Sequence, residues 1–124
     1  MEYPQITEAE LEIMKVIWDN HPINTNKIVD ILSDTIDWSP RTIMTMLSRL
    51  EKKKVIAHNK EGRIFVYYPL VNKEQYINVE TDRFINKFYD GQVTQIVSNF
   101  IENEMLNKDE INELRDLLNQ AVKK

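Results

Sequence analysis

The chain has 124 residues, 42% of them hydrophobic and 29% charged, with a formal net charge of −4. That balance belongs to a globular protein and excludes a disordered one. With 2 Gly and 4 Pro there is little material for a turn-dense β fold, and the absence of cysteine excludes disulfides and thiolate metal sites and fits a cytoplasmic location.

The opening residues MEYPQITEAELEIM lack a basic segment followed by an apolar core, so no signal peptide is expected. Thr7 and Glu10 form a capping box, and Leu11, Met14, Ile17 and Trp18 recur at helical spacing, which predicts a helix over 8–19. Pro22 breaks it. Asn24 caps a second helix whose apolar face is Ile28, Ile31 and Leu32. Ser39-Pro40 starts a third, with Ser as N-cap and Pro at the first helical position. There Ile43, Met46, Leu47 and Leu50 form an inward row, while Arg41, Met44, Thr45, Ser48 and Lys52 fall on another face, open to a partner.

Two β-branched or aromatic runs, 55–57 and 64–68, flank HNKEG, where Gly62 can take a positive φ. They predict a β-hairpin with a basic tip at Lys60 and Arg63. Beyond Pro69, Asn72 caps a helix over 73–89 that Asp90-Gly91 stops. Val93, Ile96, Val97, Phe100 and Ile101 recur as one helical stripe. A second capping box at 107–110 precedes Ile111, Leu114, Leu118 and Val122 on a last helix. The predicted fold is mainly α with a small β-hairpin. We divide it into domains 1–71 and 72–124. Three amphipathic helices alone make a thin core, and pairing with a second copy is the simple remedy.

Charge is unevenly spread. Residues 1–40 set Lys15 and Lys27 against eight acids, whereas 41–63 hold Arg41, Arg49, Lys52, Lys53, Lys54, Lys60 and Arg63 against Glu51 and Glu61. A basic island in an acidic chain points to a polyanionic partner.

Three helices followed by a hairpin is the winged helix-turn-helix pattern, in which the third helix enters the DNA major groove and the wing reaches the backbone. On this reading Arg41 contacts phosphate or a base edge. Thr42 and Thr45 donate to phosphates or touch a thymine methyl. Lys52, Lys53 and Lys54, with Lys60 and Arg63 from the wing, supply salt-dependent affinity. Arg49 either joins them or pairs with an acid of its own domain. A basic helical face is often only solvated, and some winged helices bind proteins, so an interaction module is the alternative. An enzyme finds no support. His21 and His58 are isolated, with no paired ligand set and no phosphate loop, and no cofactor or metal is implied. Trp18 and Trp38 are expected to pack.

The segments ITEAELEIMKVIW, DWSPRTIMTMLSRLEKK, RIFVYYPLV, FINKFYDG and VSNFIENEMLNKDEINELRDLL resemble, in order, the penicillinase repressor and methicillin-resistance regulatory repressor family. The resemblance implies a homodimeric winged-helix repressor that binds palindromic operators with TACA/TGTA-type half-sites at β-lactam-resistance genes. It implies dimerisation through the C-terminal helices, with Phe84, Phe88, Val97, Phe100, Ile101, Ile111, Leu114 and Leu118 as the expected contacts. It also implies release when a membrane-bound sensor metalloprotease leads to cleavage of an Asn-Phe bond, here Asn99-Phe100. A copper-sensing branch uses a Cys-x-Cys tail, which this chain lacks. Relatives usually carry Arg or Lys where Met44 stands, so the operator and the regulated genes of this chain stay open.

Overall fold

A computed structural model describes residues 3–123. The elements are α1 (Glu8–Asn20), β1 (Ile23–Asn24), α2 (Thr25–Ser33), α3 (Pro40–Lys52), β2 (Ile56–Glu61), β3 (Ile64–Pro69), α4 (Lys73–Tyr89), α5 (Val93–Glu102) and α6 (Lys108–Val122). The fold is mainly helical, with one small antiparallel sheet in the order β1-β3-β2.

The helix starts follow their side chains. The Thr7 hydroxyl accepts from the Glu10 N–H while the Glu10 carboxylate accepts from the Thr7 N–H. Asn107 and Glu110 repeat this box at α6. Asn24, Ser39 and Asn72 accept from Lys27, Thr42 and Gln75 N–H groups respectively. Each such cap is worth about 1 kcal/mol.

The hairpin closes through Glu61 and Ile64, which pair across a two-residue turn, with Gly62 at φ 65. Only glycine adopts that conformation without a steric penalty. The sequence pattern does not predict β1. Ile23 pairs with Tyr67 and Asn24 with Val66, so the α1–α2 connection covers the outer edge of β3. A two-residue strand leaves no periodicity to detect.

The chain forms two compact units, Met1–Val79 and Glu80–Lys124. In the first, α1, α2 and α3 bury Ile13, Ile17, Ile28, Ile43, Leu47 and Leu50 together with Val55 and Ile56 of the hairpin. Truncating any of these to Ala costs about 2 to 5 kcal/mol. The division falls inside α4 rather than at Val71 because the start of α4 belongs to this core. Tyr76 is buried, with its ring 5.7 Å from Trp18 and 6.2 Å from Tyr3, and its hydroxyl accepts from the Ile6 N–H. The Trp18 indole N–H donates to the Val71 carbonyl at 3.0 Å.

The second unit is different. Among its described residues none is fully buried, in α5, in α6 or in the rest of α4. Phe84 and Phe88 pack on each other at 5.1 Å, yet both remain exposed, as do Ile101, Leu117 and Leu118.

Candidate nucleic-acid interface

The third helix is fixed at both ends by its own sequence. Ser39 caps it and Pro40 opens it. At the far end the Lys54 N–H donates to the Glu51 carbonyl and the Val55 N–H to the Leu50 carbonyl, with Lys54 at φ 63. This is a Schellman stop built on lysine where glycine is usual. Between the ends, Ile43, Leu47 and Leu50 are buried and Met46 is half-buried against the core.

The opposite face is open. Arg41, Met44, Thr45, Ser48, Arg49 and Lys52 are all exposed, as are Lys54 beyond the helix and Lys60 and Arg63 on the wing. Arg49 forms no salt bridge within the described residues. Two hydroxyls are already engaged. Thr42 is half-buried with its oxygen 3.0 Å from that of Ser39, and Thr45 donates to the Arg41 carbonyl at 3.0 Å. Thr45 therefore keeps a methyl group and an acceptor for a partner, but no free donor.

Lys53 does not join this face. Its ammonium lies 2.5 Å from the Glu10 carboxylate and also donates to the Gln5 carbonyl at 2.9 Å. Glu10 is 2% exposed. Burial pushes its carboxyl up, but the Lys53 hydrogen bond and charge and the Thr7 hydrogen bonds outweigh this and hold it below the usual carboxylate value. Lys53 thus ties the end of α3 to the start of α1, and the middle of three successive lysines is a structural counter-ion.

The wing has its own anchor. His58 on β2 pairs through Nδ1 with the Glu51 carboxylate on α3, and its ring stacks on Phe65 of β3 at 4.4 Å. Tyr67 lies 5.5 Å from the same ring. Burial raises the Tyr67 hydroxyl above its usual value, the Glu51 charge adds to this, and a Thr25 hydrogen bond opposes it. Nothing in the spacing of the sequence gives His58 a role. The signal is an acid, Glu51, on the last turn of α3, which ties the helix to the wing once the hairpin folds back. A hollow of about 260 Å³ opens beside this contact, lined by Thr25, Asn26, Met44, Arg63, Ile64 and Phe65.

In the second unit Asn99 and Phe100 lie in α5, both half-buried. Asn99 donates to the Tyr89 hydroxyl at 3.3 Å, and its carbonyl and side-chain oxygens accept from the Asn103 amide. Val97, Phe100 and Leu114 line a second hollow with Leu106 and Leu117. Ile111 is exposed. Among the described residues no cluster of His, Asp or Glu could hold a metal ion, and no helix is long and apolar enough to cross a membrane.

The sequence model of the family described as penicillinase repressor matches residues 6–120. This chain belongs to that family. It is 51% identical to the penicillinase repressor of Bacillus licheniformis over 117 residues, which covers 94% of this chain and 91% of that one. To the methicillin resistance regulatory protein MecI of Mammaliicoccus sciuri it is 41% identical, covering 94% of each chain. A solved structure of the Bacillus licheniformis repressor BlaI, in monomeric form with the blaP half-operator, is similar at TM-score 0.54 and 55% identity. It covers 60% of this chain and 92% of that one. For a member of the penicillinase repressor family, the open cationic face of α3 and the basic wing are thus the surface to consider for DNA.

Proposed function

We propose that this chain is a DNA-binding transcriptional repressor that acts as a homodimer on a palindromic operator with TACA/TGTA-type half-sites. The first unit carries α3 into the major groove and the second supplies the dimer contact. The observation that carries this reading is the exposed row Arg41, Ser48, Arg49 and Lys52, continued by Lys54, Lys60 and Arg63, in a family whose relatives are named as repressors. Among the described residues no salt bridge compensates this row, so its charge is available to phosphates, and releasing their counter-ions gives affinity that falls steeply with salt.

The exposed apolar surface of the second unit supports pairing with a second copy. Phe84, Phe88, Ile101, Ile111 and Leu118 are exposed there, and Val97, Phe100 and Leu114 are only half covered. Two linked half-site contacts then act as one, which raises affinity without any new contact. The regulated genes are those of β-lactam resistance, and cleavage between Asn99 and Phe100 by a sensor metalloprotease ends repression by cutting α5 inside the pairing unit.

A fluorescence anisotropy titration on a TACA/TGTA palindrome tests the core of the proposal. Salt-sensitive preference over a scrambled duplex is expected, and equal binding to both would overturn it. For release, Asn99→Asp protein exposed to its sensor is expected to stay whole. Unaltered fragment formation would move the scissile bond elsewhere.

A further inference from the structure

We infer that Met44, with Ile64 of the wing and the methyl of Thr45, forms an apolar reading surface that recognises the 5-methyl group of a thymine in the operator half-site. The inference rests on the DNA-binding reading above and names what one part of that surface selects.

Three observations lead to it. Met44 is 38% exposed on the open face of α3, and Ile64 is 48% exposed at the start of β3. Both leave apolar surface open on the side of the first unit that carries the exposed face of α3 and the wing. Second, the two line one hollow of about 260 Å³, whose remaining walls are Thr25, Asn26, Arg63 and Phe65. Third, the neighbouring Thr45 has spent its hydroxyl proton on the Arg41 carbonyl. At positions 44 and 45 the helix therefore offers methyl groups and no free hydrogen-bond donor.

The major-groove edge of guanine presents two acceptors, N7 and O6, and needs a donor opposite them. Neither Met44 nor Thr45 supplies one. Thymine presents a methyl group beside its acceptor, and apolar contact with that methyl discriminates it from cytosine. The polarisable, three-torsion methionine chain adapts to such a small target. Arg63 lines the hollow itself and the exposed Arg41 lies one helical turn before Met44, so the occupant is a nucleic-acid edge flanked by phosphates rather than an apolar peptide.

The test uses the full-length protein and TACA/TGTA palindromes in which thymines are replaced one position at a time by deoxyuridine, which removes only the methyl. One position is expected to bind about fourfold more weakly, the worth of one buried methyl group. Met44→Ala, which is exposed and leaves the core intact, is expected to bind the thymine and deoxyuridine duplexes equally at that position. Equal affinity of the natural protein for every deoxyuridine duplex overturns the inference while leaving operator binding standing. A loss that persists in Met44→Ala overturns it too. Failure to prefer the parent palindrome over a scrambled duplex instead overturns the operator reading beneath it.

Discussion

The two units of this chain spend similar amino acids in opposite ways. The first closes a core on itself: Ile13, Ile17, Leu47 and Leu50 have no measurable exposure. The second places Phe84, Phe88 and Leu118 on helices of comparable amphipathicity and leaves them open. A helix therefore does not bury its apolar stripe because the stripe exists. Burial needs a second layer, and three helices over 80–124 do not supply one. The first unit completes itself with a sheet, and the proposed second copy would complete the other.

That contrast can be broken most severely at Leu114. A charge there (Leu114→Asp) is expected to give monomer by sedimentation and to lower operator affinity by at least about a hundredfold, since two linked contacts become one. Circular dichroism and the stability of the first unit should be unaffected. A persistent dimer would place the pairing surface elsewhere.

Next in size is Lys53→Ala. It strands the Glu10 carboxylate in the core of the first unit, and denaturant unfolding should report a loss of about 3 kcal/mol. The same pair sets a pH window. Because the folded chain holds Glu10 below its ordinary value of 4.5, the unfolded chain takes up that proton first as pH falls. The stabilisation is complete above that value and disappears as pH drops through the folded one. Lys53→Ala should remove this part of the acid sensitivity.

The smallest effect sharpens the comparison within the lysine run itself. Lys52→Ala should leave stability within about 0.5 kcal/mol of the parent and reduce the salt slope of DNA binding by about one. Lys53→Ala should do the reverse, with the slope unchanged. Equal slopes for the two variants would mean that both lysines, or neither, face phosphate.

Much of this molecule was legible from spacing. The capping box of Thr7 and Glu10, the Ser39-Pro40 start, the Asn72 cap and the inward row of α3 are all local rules, and the fold obeys them. What stayed hidden depends on distant neighbours. β1 is too short to leave a period. Tyr76 belongs to the first core only because Trp18 and Tyr3 meet it across the sequence. Lys53 reads like its neighbours, and only the turn of α3 past Leu50 shows that it points at Glu10. His58 gained its place from Glu51 and Phe65, both recognisable only after the hairpin closes.

The tie between Glu10 and Lys53 also constrains how this sequence can change over generations. Lys52 pairs with no acid among the described residues and can drift singly, whereas Lys54, at φ 63, is held by the backbone stop of α3, where glycine or asparagine would also serve. Positions 10 and 53 cannot drift singly. Loss of the base strands a buried acid, so the two sites must mutate as a couple, across 43 positions of sequence. Three identical letters in a row thus evolve under three different rules.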